Sequence, residues 1–197
     1  ATSIVIKKYP CCGSNHSSLD SLLSILNSNE LDLNDIDEVE IDNFSSISHV
    51  LLYPRPTYGF QGKFSIHYNV ATALVDKKID MASFNDENLD RAEYIDAVEK
   101  VDIKIKSEWD SGRDGMMVSN PVKITLKDGT TLEEDTNRHV MHGTQANPLS
   151  EEEFKDKFYN CAILSLPKER IGSAIDSWWN ADSSSKVRDL LGAIRID

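Results

Sequence analysis

Gln61-Gly62-Lys63-Phe64-Ser65-Ile66-His67-Tyr68-Asn69-Val70-Ala71-Thr72-Ala73-Leu74-Val75-Asp76 is the longest stretch with a single clear period. Phe64, Tyr68, Ala71 and Val75 recur at helical spacing, and Ile66, Val70, Ala73 and Leu74 widen the apolar stripe, so a helix is predicted over 61–76. Lys63 and His67 are an i, i+4 pair on its first turns, with Tyr68 leaning to the buried side. Such a stripe needs an apolar surface to lie on, and the flanking sequence offers strands.

Upstream, Pro54-Arg55-Pro56 interrupts regular structure, because proline fixes φ and biases the residue before it to extended geometry. Ile36–Asp42 alternates as a half-buried strand, and Ile47–Tyr53 is an apolar candidate to pair with it. Leu19, Leu22, Leu23 and Leu26 mark a helix that starts near Asn15 or Ser17. Before it, Ser3–Tyr9 reads as a short strand ended by Pro10, and Cys11-Cys12-Gly13-Ser14-Asn15 as a tight turn. Downstream, a helix is expected over Asn88–Lys100 and a strand over Val101–Lys106. Asn120–Leu126 and Thr131–Thr136 flank Asp128-Gly129, a hairpin signal, and Asp110–Gly115 is a loop.

His139–Pro148 is rich in turn residues, and beyond it the period changes. Ser150 and Glu153 form a capping box for a helix to about Leu164, Pro167 opens another to about Trp179, and Ser183–Ile194 supplies a third. The expected class is α+β: a small mixed sheet with helices over 1–148, then helices over 149–197. These three helices carry Ile171, Ile175, Trp178, Trp179, Leu190 and Leu191, more apolar surface than they can cover for one another. The chain also opens inside what reads as a strand. Both features lead us to expect a larger native protein.

The chain has 197 residues, 33 acids and 21 strong bases, for a net charge of −12. That balance argues against nucleic acid, which needs a basic face. No apolar run is long enough for a membrane helix. Three cysteines, an odd number, fit a reducing cytoplasm better than a disulfide framework. The acids are unevenly placed: residues 1–19 and 43–75 have none, yet carry Lys7, Lys8, Arg55, Lys63, His16, His49 and His67. Such stretches are either buried core or the wall of a pocket for an anionic ligand.

Cys11, Cys12 and His16 lack a fourth ligand at usable spacing, so no metal is expected; packed thiols are the simpler reading. A Cys12–His16 nucleophile pair has no residue to orient it. Strand alternation sends Lys7 and Lys8 to opposite faces, which lets one point into a site. Arg55, held between prolines, is preorganised to grip a carboxylate with both guanidinium nitrogens. Tyr68, if its hydroxyl opens into a cleft, is a candidate proton donor. No phosphate-binding glycine loop, EF-hand or serine elbow is present.

Three motifs then resemble one family. Lys7-Lys8-Tyr9-Pro10-Cys11-Cys12-Gly13-Ser14-Asn15-His16 resembles the start of the C-terminal region of MmgE/PrpD proteins. Arg55-Pro56 with Gly62-Lys63-Phe64-Ser65-Ile66-His67-Tyr68 resembles its RP…KFS…Y segment. Asn147-Pro148-Leu149-Ser150 with Lys157-Phe158 and Cys161-Ala162 resembles its NPLS…KF…CA segment. The resemblance implies a lid-like α+β domain over 1–148. It also implies that helices 149–197 return to a separate all-helical domain, which nothing here matches. It implies a cofactor-independent lyase or isomerase of small polycarboxylates, such as a 2-methylcitrate dehydratase of propionate metabolism, acting as a cytoplasmic homodimer. Carried over by position, Lys7, His16 and Tyr68 are its catalytic residues. Arg55, Lys63, His67 and Lys8 are its substrate-binding residues. The competing expectation is a catalytically inactive piece that serves as a binding or assembly module.

Overall fold

Ile36–Asn43 (β1), Val101–Ile105 (β2), Val122–Leu126 (β3) and Thr131–Glu134 (β4) form a mixed sheet of order β2-β1-β3-β4. This is a computed structural model, and it describes residues 4–107, 120–136 and 140–196. β1 runs parallel to β2 and antiparallel to β3, and β3 runs antiparallel to β4. A parallel pair needs a long crossover, and residues 44–100 supply it. The β3–β4 turn is the Asp128-Gly129 hairpin, with Gly129 at φ 88° and its N–H donating to the Leu126 carbonyl. The Asp110–Gly115 loop lies outside the described residues.

The described helices are His16–Asn29 (α1), Gly59–Gly62 (α2), Ile66–Asp76 (α3), Asp86–Leu89 (α4), Ala92–Val98 (α5), Glu151–Ala162 (α6), Lys168–Trp179 (α7) and Val187–Ala193 (α8). The class is α+β, as the patterning predicts. The chain divides into two compact units, Ala1–Pro148 and Leu149–Asp197.

In the first unit, Ile36, Val39, Ile41, Val122 and Ile124 of the sheet share one core with Leu19 and Leu22 of α1, Val70 and Leu74 of α3, and Tyr94 and Ala97 of α5. Simple alternation would put Ile36 opposite Val39 and Ile41. All three are buried because the register shifts between Ile36 and Glu38, a bulge that returns Ile36 to the core face. The other face holds charge pairs: Glu40 with Lys123 at 2.5 Å and Lys104 at 3.6 Å, and Asp42 with Lys106 at 3.3 Å. These pairs are half-exposed and contribute little stability individually.

Three local expectations are corrected. Ile4–Lys7 form no strand; the segment is joined to distant backbone by Ile6 N–H, which donates to the Gly143 carbonyl at 2.9 Å, and Ile4 is 84% exposed. Ile47 lies in a 3-10 turn, Ser45–His49, not in a strand beside β1, where β2 and β3 occupy both edges. The helix over 61–76 is broken at Lys63–Ser65. Ser65 caps α3, its Oγ accepting from the Tyr68 N–H at 3.0 Å, so Lys63 precedes the helix and is not stacked on His67.

The second unit opens with the capping box: Glu153 N–H donates to Ser150 Oγ, and Ser150 N–H to Glu153 Oε2. Pro167 is the N-cap of α7. Trp178 Nε1 donates to the Leu190 carbonyl at 3.0 Å, joining α7 to α8. Phe154, Lys155, Phe158, Ile175, Trp178 and Trp179 line an open, mostly apolar groove between α6 and α7.

Candidate functional site

The turn at Cys11-Cys12 gathers the first group of expected site residues. Cys12 N–H donates to the Lys63 carbonyl at 2.9 Å, docking the N-terminal segment on the break before α3. Lys7 Nζ reaches back to the Cys11 carbonyl at 3.2 Å. Lys7 and Lys63 both act electrostatically on the Cys11 thiol, so both cations stand near it. Burial nevertheless dominates, pushing that thiol up to about 12, while Asn15 and the two lysines pull it back. A thiol held protonated is no nucleophile.

Tyr9 organises the other side of the turn. It is buried, the edge of His16 meets its ring at 5.2 Å, and Lys8 Nζ lies 5.8 Å from the ring centre. His16, the first residue of α1, is fully buried. Lys7 and Lys63 thus stand at the Cys11-Cys12 turn, and Lys8 and His16 at the Tyr9 ring beside it, with Lys7 and Lys8 carried by a bent segment rather than on the two faces of a strand.

The second group forms around α3. Tyr68 is buried, and its hydroxyl donates to the Ser83 carbonyl at 2.5 Å. Burial pushes this phenol up to about 12. Its ring lies edge-on to Tyr94 and tilted to Phe84. Arg55 is exposed and pairs with Glu99 at 2.5 Å. Arg55 and Tyr68 line one shallow pocket with Pro56, Leu89, Tyr94 and Ile95. His67 is half-buried, and its Nδ1 is buried with no hydrogen-bond partner among the described residues. Burial and then the Arg55 charge hold its imidazole below the usual range, and Asp102 opposes them.

Phe84 links the groups. Lys63 Nζ lies over its ring at 5.6 Å, and the Tyr68 ring is 6.1 Å away. Gly62 allows this packing, since a Cβ there would stand 3.0 Å from the Tyr68 ring. Among the described residues no three His, Cys, Asp or Glu side chains gather as metal ligands would.

Sequence reasoning missed Asp20. Its carboxylate accepts from the Tyr9 hydroxyl at 2.8 Å and from the His142 backbone N–H at 2.7 Å. The available signal was its place one helical turn after His16, an acid where an apolar stripe begins. Also missed was the knot of Asp76, Arg91 and Tyr94, in which the Tyr94 hydroxyl donates to Asp76 and Arg91 pairs with the same carboxylate at 3.3 Å, tying α5 to α3.

The model of the MmgE/PrpD C-terminal domain matches residues 9–181. A curated relative, cis-aconitate decarboxylase of Mus musculus, is 27% identical over 122 residues, 62% of this chain. The aligned part spans about a quarter of that relative, 24% of its length. No described helix is long and apolar enough to cross a membrane.

Proposed function

This chain belongs to the MmgE/PrpD family, and from that premise we propose that it is the lid-like C-terminal part of a cofactor-independent lyase acting on small polycarboxylates, by dehydration of a 2-methylcitrate-like substrate. The observation that carries the reading is the pairing of Lys7 and Lys63 at the Cys11-Cys12 turn, with Lys8 and His16 on the adjoining Tyr9 ring, in an acidic protein. A substrate with two or three carboxylates needs fixed cations, and the proton removed is one that a neighbouring carboxylate acidifies.

In this reading Lys7 and Arg55 grip carboxylates, and Lys7 also gives a proton to departing hydroxide. Lys8, Lys63 and His67 add positive charge or hydrogen bonds around the substrate. Tyr68 transfers a proton as acid or base; burial pushes its phenol up to about 12, which makes it a weak acid until its hydroxyl is freed from those surroundings. To act, it must release the Ser83 carbonyl, and Arg55 must exchange Glu99 for substrate. His16, buried against Tyr9, orients the substrate or passes a proton once that packing opens. Asp and His residues from a helical domain complete the site, which works in the cytoplasm within a homodimer.

Thermal unfolding with citrate, 2-methylcitrate and cis-aconitate tests this. A ligand bound only by the folded state raises the midpoint. The expected result is a rise with tricarboxylates that Lys7→Ala and Lys63→Ala each reduce. No rise at millimolar ligand removes the preformed half-site. In an active full-length protein, Tyr68→Phe should cut turnover at least ~100-fold with the fold intact; unchanged turnover removes Tyr68 from the mechanism.

A second reading, an inactive binding or assembly module, is favoured by the apolar groove of α6 and α7. It predicts self-association that Trp178→Ala with Trp179→Ala abolishes, and no polycarboxylate binding.

A further inference from the structure

The segment that carries Lys7 and Lys8 is held outside any helix or sheet, yet it is fixed at both sides. On one side Tyr9 donates its hydroxyl to Asp20 Oδ1 at 2.8 Å. On the other, Ile6 N–H donates to the Gly143 carbonyl at 2.9 Å. Gly143 has φ 94°, and a Cβ there would stand 2.0 Å from the Ile6 carbonyl oxygen, so only glycine allows this approach.

Residues 140–147 are themselves a closed turn. Gly143 N–H donates to the Asn147 carbonyl at 2.8 Å, and Asn147 Nδ2 to the Val140 carbonyl at 3.0 Å. Asp20 fastens this turn to α1, because its second oxygen accepts from His142 N–H at 2.7 Å. One carboxylate thus anchors the lysine segment directly, through Tyr9, and indirectly, through the turn against which Ile6 rests. Both partners donate, so the position calls for a group with two acceptor oxygens, which an ionised Asp supplies.

We propose that Asp20 is the positioning residue of the lysine segment, acting through Tyr9 and the 140–147 turn to set where Lys7 and Lys8 present their charges. The assignment to substrate binding rests on the polycarboxylate reading above; the mechanical role does not. Asp20 touches no substrate in this scheme. Its effect is preorganisation: a segment without ladder hydrogen bonds would otherwise lose binding energy to being ordered.

Backbone amide exchange of the full chain, wild type against Asp20→Ala, tests the role. Exchange at Ile6 and at His142 should rise together by roughly tenfold or more, while β1 and α3 keep their protection. The citrate-induced midpoint shift, taken relative to each variant's own midpoint, should be lost in Asp20→Ala and partly restored in Asp20→Asn, whose amide can still accept from His142 and donate to Tyr9. Unchanged exchange at Ile6 overturns the proposal. So does raised exchange with the ligand shift intact, since a residue of merely structural importance gives that pattern. If the wild type shows no citrate shift, the polycarboxylate reading falls, and the exchange measurement alone decides whether Asp20 holds the segment. Should Asp20→Ala not fold, Tyr9→Phe decides the matter instead: exchange rises at Ile6 and stays low at His142, or the proposal fails.

Discussion

The ammonium of Lys63 lies 5.6 Å from the centre of the Phe84 ring, on a side chain that is itself only 7% exposed. A cation over an aromatic face contributes about 0.5–1 kcal/mol at a partly exposed site. Phe84→Leu keeps an apolar group in place but removes the ring. We expect a loss of roughly 1–2 kcal/mol in urea unfolding and, in the same variant, freer movement of Lys63 seen as altered amine labelling.

Two glycines should respond in opposite directions. A Cβ at Gly59 would stand 1.7 Å from the Phe84 carbonyl oxygen, and its N–H already donates to Asp86 at 2.7 Å. Gly59→Ala must displace backbone, at a cost of about 2–4 kcal/mol. Gly172, inside α7, has open space where an added methyl would lie, with nothing within 4 Å, so Gly172→Ala should stabilise α7 by about 0.5–1 kcal/mol. Thermal midpoints of the two variants, falling for one and rising for the other, check both.

The His67 imidazole predicts a pH dependence. Its folded-state value is held below the ordinary one, chiefly by burial. The neutral form is therefore favoured by folding, and this contribution is full above the unfolded value of about 6.5. It is lost as pH falls through the lower folded value. Stability measured from pH 7.5 down to 5 should decline less steeply in His67→Gln than in the wild type. Parallel slopes would show that His67 does not couple charge to folding.

The cysteines should label in order of access. Cys161 is exposed, Cys12 is half-buried, and Cys11 is buried with its thiol pushed up to about 12. A disulfide reagent at pH 7.5 should modify Cys161 first and Cys11 only on unfolding, as mass spectrometry of the digests will report. Because Cys11 holds its proton in the fold, its contribution to stability is full below the unfolded value of about 9 and declines between about 9 and 12. Cys11→Ser should flatten that alkaline decline.

Signals that act within a few residues were legible. Ser150 with Glu153, Asp128-Gly129 and the Leu19–Leu26 stripe each specify a local hydrogen bond or face, and each appears as expected. The segment Ser3–Tyr9 misled because three apolar residues in a row do not reveal whether a sheet edge is free to accept them. Here Ile4–Lys7 join neither outer strand, β2 or β4, and Ile6 meets Gly143 instead. The Gln61–Asp76 period concealed a break, because Ser65 can cap a helix as well as sit within one. The bulge that buries Ile36 also has no local mark.

For the candidate site, residue types were readable and their neighbours were not. Lys63 and His67 share a face only if one helix contains both, and the Ser65 cap separates them. The partner of Arg55 is Glu99, and those of Asp20 are Tyr9 and His142, all across the chain. The Arg55–Glu99 pairing depends on how the crossover folds, and those of Asp20 on how the N-terminal segment and the 140–147 turn dock on α1.

The parallel pair β1–β2 sets Val39 beside Val101, with Arg55, Lys63, His67 and Tyr68 all in the chain between them. Closing so long a loop costs entropy that only later contacts recover, so this pairing is expected late in folding. Arg55, Lys63, His67 and Tyr68 therefore sit in a loop that stays open until that pairing forms. A nascent chain released after β1 but before β2 would already hold these side chains, and hold them without the strand that locks their loop shut.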